Sequence, residues 1–98
     1  MASYPRSGNT LLRIYLENIM SLITGSDCDM DRPLNLSLFE KGFSGEGLSD
    51  KRMWIVKTHY PERWSRSTYS AEKGILLVRS PIEAINSLFN MICTDTHD

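Results

Sequence analysis

The apolar positions fall into helical and strand-like clusters. From Thr10 onward, Leu12, Tyr15, Leu16, Ile19, Met20 and Ile23 recur at steps of three and four, which predicts a helix over residues 10–23 with one apolar face. Thr24-Gly25-Ser26 supplies a glycine stop for it. Residues 53–58 and 74–78 are short apolar runs, the second nearly unbroken. Strands buried on both faces of a parallel sheet read this way. Pro81 suits the first turn of a helix running to about Ile92, with Ile82, Ile85, Leu88 and Phe89 on one face.

The stretches between these clusters are less regular. Residues 24–52 hold Gly25, Gly42, Gly45 and Gly47, with a helical turn expected at 34–39. A connection of that length inside a compact domain either faces a substrate or packs on other parts of the protein. Residues 61–72 are polar with two aromatics and are a candidate for a short helix. The order is loop–helix, irregular segment, strand, polar connection, strand, helix, which indicates an α/β fold with a parallel sheet. The opening loop requires a strand before it. Only Met1 to Tyr4 are available, so that strand is clipped or very short.

Composition narrows the function classes. With 98 residues, 41% hydrophobic and 23% charged, the chain reads as one small globular domain or a piece of a larger one. A net charge of −1 gives no global field to draw nucleic acid or an anionic membrane. Any bound anion must be held by a local set of donors. The apolar stretch around residues 11–23 is interrupted by Arg13, Glu17 and Asn18, so it does not read as a membrane span, and no signal peptide is visible. Cys28 and Cys93 lack metal-ligand spacing and are expected as two free, buried or half-buried thiols; no metal is called for.

Three short motifs carry candidate chemistry, each at the edge of a predicted element. In Ser3-Tyr4-Pro5-Arg6-Ser7-Gly8-Asn9-Thr10, Pro5 fixes its own φ and Gly8 permits close approach of an anion. The helix that follows aims its unpaired N–H groups at whatever the loop encloses. Ser7, Asn9 and Thr10 add short donors, and Arg6 adds a planar fork for phosphate or sulfate. A turn with an ordinary polar N-cap reads the same way. The Walker A ending is absent, which argues against a nucleotide kinase or ATPase.

Lys57-Thr58-His59-Tyr60-Pro61 closes one predicted strand, and alternation places Lys57 and His59 on the same side. A cation beside an imidazole suits transfer of an anionic group to a hydroxyl, the imidazole taking the proton and the lysine neutralising the leaving oxygen. A solvated strand-end lysine beside a surface histidine is the plain alternative. Val78-Arg79-Ser80-Pro81 closes the other strand, with Ser87 in the helix after it. In open α/β sheets the carboxyl ends of the strands are where ligands bind. All three motifs fall on that edge.

These residues resemble the sulfotransferases: Tyr-Pro-Arg-Ser-Gly-Asn-Thr, then Lys-Thr-His-Tyr-Pro, then Leu-Val-Arg-Ser-Pro with a serine eight residues after the arginine. The order fits, and the likeness runs from Ser3 to about Asn90. The resemblance implies a three-layer P-loop-type parallel sheet flanked by helices, present here as the N-terminal portion of one domain over residues 1–98. It implies that Arg6, Ser7, Gly8, Asn9 and Thr10 hold the 5′-phosphosulfate of 3′-phosphoadenosine 5′-phosphosulfate (PAPS). Lys57 would contact the sulfate or bridging oxygen, His59 would be the general base, and Arg79 and Ser87 would hold the 3′-phosphate. The partners implied are this small-molecule donor and a hydroxyl acceptor, whether carbohydrate, tyrosine, steroid or phenol.

The chain departs from the family pattern in places. Arg6 stands where lysine is usual in cytosolic members; it keeps the charge but does not give up a proton. Asn9 replaces a more usual threonine, and Leu11 a tryptophan that would stack near the adenine. The Ser-Gly-Asn-Thr version is more similar to the sulfotransferase-like domains found beside WSC domains. The family's glycine- and lysine-containing C-terminal segment, which serves the nucleotide end of the donor, has no counterpart in these residues. A non-catalytic module that binds a phosphorylated ligand or a partner protein is the alternative to a fragment of an active enzyme. A phosphoryl-transfer enzyme fits less well, since no magnesium-binding carboxylate clearly follows a strand. The compartment stays open between cytoplasm and, where an anchor precedes residue 1, the Golgi lumen. Trp54, Tyr60, Trp64 and Tyr69 suit an acceptor pocket or packing against the sheet equally.

Overall fold

The computed structural model describes residues 1–29, 33–60 and 67–94. Four short parallel strands form one sheet in the order β2-β3-β1-β4, with β1 at Ala2–Ser3, β2 at Gly25–Ser26, β3 at Val56–His59 and β4 at Leu76–Leu77. Helices α1 (Asn9–Met20), α2 (Pro33–Glu40) and α3 (Pro81–Thr94) flank it. The architecture is the expected α/β one, with a parallel sheet and helices beside it.

Register explains why two-residue strands suffice. Ser3 lies opposite His59 on one side and Leu77 on the other, and Ser26 lies opposite Lys57. Bonds outside the strands extend each ladder: Ala2 N–H donates to Ile75 O at 2.7 Å, Tyr60 N–H to Ser3 O at 2.9 Å, and Asp27 N–H to Lys57 O at 3.1 Å. With all strands parallel, the loops after β1, β2, β3 and β4 leave from one edge of the sheet. That edge carries the chemistry discussed below.

Several expectations change. Helix α1 ends at Met20 with Ser21 in the left-handed region at φ 53, so Gly25 is not its stop. Thr24 is captured instead by side chains of α1. Glu17 accepts from the Thr24 amide (2.9 Å) and hydroxyl (2.5 Å), and Arg13 donates to the Thr24 hydroxyl (2.6 Å) and carbonyl (3.0 Å). Gly25 then enters β2, its N–H bonded to Ile55 O at 2.8 Å. The segment 53–58 becomes strand only from Val56, and the turn expected at 34–39 is the eight-residue α2.

The buried faces also differ from the periodicity. Helix α1 buries Asn9 and Arg13, while Tyr15 and Ile19 are exposed. Helix α3 buries Ala84 and half-buries Ser87, Leu88 and Met91, leaving Ile82, Ile85 and Phe89 outside. Among the described residues β4 is an edge strand, with Leu76 and, just after the strand, Val78 exposed, and is not covered on both faces. Cys28 is buried and Cys93 exposed, both as free thiols; the outer surface of α3 accounts for the latter. The helix candidate at 61–72 falls partly outside the described residues, as does Trp64, and residues 67–72 are not helical. No described helix is long and apolar enough to cross a membrane.

Residues 42–53 pack on β2 through glycine. A Cβ on Gly45 would collide with the Thr24 carbonyl oxygen and sit 2.8 Å from Ile23 Cγ2, whereas a Cβ on Gly74 would meet nothing within 4 Å. Gly45→Ala is therefore expected to cost about 1–3 kcal/mol by overpacking. In a domain of this size each kcal/mol lowers the thermal midpoint by roughly 4–8 °C. Gly74→Ala serves as the neutral control, and equal midpoints for the two variants would contradict this packing.

Candidate active site

The loop between β1 and α1 has an unusual backbone. Arg6 adopts φ 65 and Gly8 φ 98, both left-handed, with Ser7 between them. Backbone of this kind makes anion-binding concavities in other proteins; here the Ser7 N–H turns back to Tyr4 O at 3.3 Å and closes the turn. For Arg6, which carries a Cβ, the conformation costs on the order of 1–2 kcal/mol and persists only where neighbours enforce it. They do. Arg79 Nη1 donates to Arg6 O at 2.8 Å, and Arg6 Nε donates to Ser87 Oγ at 2.9 Å, with Arg6 Nη1 3.8 Å from Met91 Sδ.

Gly8 is the N-cap of α1, so no side chain caps the helix, and no acidic residue stands in its first turn. The first N–H groups of a helix have no partner within it, and the dipole there favours negative charge. A Cβ built on Gly8 would meet nothing within 4 Å, so glycine is favoured here by its left-handed φ and not by close packing. The helix end thus lacks a capping side chain, while the Arg6 guanidinium is turned to Ser87 and Met91 on α3.

Next to the loop, across β1, stands the end of β3. His59 is half-buried, with Nδ1 at 3.2 Å from Ser3 Oγ and 3.3 Å from Ser3 O. Lys57 is 3% exposed, so its charge acts in a medium of low dielectric, where it is stronger than in water. Thr58, between them, donates its hydroxyl to Asp27 Oδ2 at 2.6 Å. Asp27 is itself buried at the end of β2 and also ties its N–H to Lys57 O. Sequence reasoning passed over Asp27; its position after a two-residue strand gives no periodic signal.

The structure thus brings Arg6, Ser7, Gly8, Thr10, Lys57, His59, Arg79 and Ser87 to one edge of the sheet or the helices leaving it. Arg6 and Ser87, 81 positions apart, are hydrogen-bonded. Arg79 lies against the loop, and also 3.4 Å from Glu83 in the next turn. Asn9 stands apart from the group: it is 3% exposed and turns its amide inward, donating to Ser3 Oγ at 2.9 Å and toward Thr58 O at 3.5 Å. Ser3, 1% exposed, stands at the start of the loop and touches both Asn9 and His59, which its place in the sequence does not signal. A cavity of about 470 Å³ lies between α1 and residues 41–43, reaching the loop only at Thr10.

No protein-family model matches the chain, and no solved structure matches it. Curated relatives do. WSCD family member CG9164 of Drosophila melanogaster is 38% identical over 90 residues, which is 92% of this chain and 26% of the relative. WSCD family member GA21586 of Drosophila pseudoobscura pseudoobscura is 36% identical over 91 residues, and AAEL009094 of Aedes aegypti 37% over 92, with the same coverage. The chain spans about a quarter of the length of the curated relatives it matches.

Proposed function

We propose that the chain is the N-terminal, chemistry-bearing portion of a sulfotransferase domain, which moves a sulfuryl group from PAPS to the hydroxyl of a carbohydrate, tyrosine, or small alcohol or phenol. The observation that carries this reading is the joining of Arg6, Arg79 and Ser87 around one left-handed loop, with His59 and Lys57 one strand away. That spacing offers cations and donors to two anionic ends of one donor molecule and a base to an incoming hydroxyl. Similarity to WSCD family members agrees with the resemblance to sulfotransferase-like domains found beside WSC domains.

PAPS, when bound, supplies a sulfuryl group on a phosphate leaving group and a separate 3′-phosphate. The loop N–H groups and Arg6 hold the phosphosulfate, and Arg79 and Ser87 hold the 3′-phosphate. Asn9 serves the same site from within, by fixing β1 against β3. His59 takes the proton of the acceptor hydroxyl as that oxygen bonds to sulfur. Lys57 opposes the negative charge left on the departing phosphate oxygen. No side chain needs to bond covalently to the sulfuryl group; positioning and fixed charge supply the acceleration.

Turnover of labelled PAPS with hydroxyl acceptors tests the reading, using the complete domain and its His59→Ala and Lys57→Met variants. Transfer that depends on both residues supports it. A domain that binds adenosine 3′,5′-bisphosphate and never transfers is instead a non-catalytic binding module.

A further inference from the structure

We infer that Ser3 is a positioning residue for His59, gripping the imidazole at Nδ1 and leaving proton exchange with the acceptor to Nε2; this rests on the sulfuryl-transfer reading above. Both oxygens of Ser3 face one ring nitrogen, Oγ at 3.2 Å and the carbonyl at 3.3 Å. The carbonyl oxygen can only accept, so its approach favours the tautomer that carries hydrogen on Nδ1, with the hydroxyl oxygen as a second acceptor for the same hydrogen. In neutral histidine the other nitrogen then holds the lone pair, and which nitrogen that is follows from the bond the first one makes. Nε2 is therefore the base.

Ser3 is well placed to impose this choice because it is itself immobilised. It is 1% exposed and lies opposite His59 in the β1–β3 ladder, and its carbonyl accepts from Tyr60 N–H at 2.9 Å. Its hydroxyl accepts from Asn9 Nδ2 at 2.9 Å, and Asn9 sits at the start of α1 with 3% exposure. The line Asn9–Ser3–His59 thus runs from the phosphate-loop helix to the base. When His59 takes a proton at Nε2, the Nδ1–H bond to Ser3 becomes charge-assisted, and such bonds are about twice as strong as neutral ones. The grip tightens in the step where the ring becomes cationic.

The test is nitrogen-15 NMR of the His59 ring in the 98-residue chain at a pH where the imidazole is neutral. The expected result is a hydrogen on Nδ1 and none on Nε2. In Ser3→Ala the Nε2–H tautomer should gain several-fold, and Ser3→Thr, which keeps the hydroxyl, should restore the original ratio. A dominant Nε2–H tautomer in the unsubstituted chain overturns the inference, as does a ratio unchanged by Ser3→Ala. Should Ser3→Ala fail to fold, the unsubstituted chain and Ser3→Thr still decide. No turnover is measured, so failure here leaves the sulfuryl-transfer reading standing, and absence of transfer leaves the tautomer result intact.

Discussion

Sulfuryl transfer by the complete domain is expected to fall by about 10²- to 10⁴-fold when His59 is replaced by alanine, the usual range for a lost general base. The loss should appear in kcat. In the proposed mechanism His59 meets the acceptor and the donor is held at Arg6, Arg79 and Ser87, so affinity for adenosine 3′,5′-bisphosphate should change little. Lys57→Met should cost about 10²- to 10³-fold, the range for removal of one group that stabilises developing charge. Lys57 is buried at 3% exposure, so water cannot easily take the place of its charge. Methionine keeps most of the side-chain volume and separates charge from packing. Rates and bisphosphate affinities measured together check both variants. A His59→Ala enzyme within a few-fold of the parent would remove the histidine from the chemistry.

Arg13→Met is expected to destabilise the fold by about 3–5 kcal/mol, the range for breaking a buried ion pair by removing one partner. Against a total of roughly 5–15 kcal/mol for a folded protein, that leaves little. Arg13 is fully buried in α1; it is paired with Glu46, bonded twice to Thr24, and stacked 4.5 Å from the Phe43 ring centroid. Without it, Glu46 keeps a carboxylate at 3% exposure whose Oε2 already has no hydrogen-bond partner. Replacing both residues with apolar ones of similar volume removes the stranded charge as well. Urea unfolding of Arg13→Met, Glu46→Leu and the double variant closes the cycle. The double variant should be less destabilised than Arg13→Met alone. Additive losses would mean that the two charges do not compensate each other.

This cluster shows what the sequence could not disclose. Arg13 reads as an interruption of an apolar helix face, since long charged residues are almost never fully buried unless paired. Its partner is 33 positions away, in a segment without periodicity. Gly25 looked like a helix stop because a two-residue strand is too short for alternation to register. The outer residues of β4 and α3 looked like core because periodicity reports which residues share a face, not whether anything covers it.

The candidate site was more legible. Lys57 and His59 lie in, and Arg79 just after, strands that announce themselves by apolar runs, and Gly8 marks a turn only a flexible residue makes easily. Ser3 escaped notice for a physical reason: its importance lies in the register opposite His59, which a linear sequence does not display.

The most direct measurement is an amide NMR titration of the chain with adenosine 3′,5′-bisphosphate, with adenosine 5′-monophosphate as the comparison. The resonances of Ser7, Gly8 and Thr10 should move together with those of Arg79 and Ser87, following a single dissociation constant weaker than micromolar. The monophosphate should bind more weakly still and leave Arg79 and Ser87 largely unmoved. Equal binding of both nucleotides, or shifts that avoid the loop between β1 and α1, would contradict a site built for a donor with two phosphate ends.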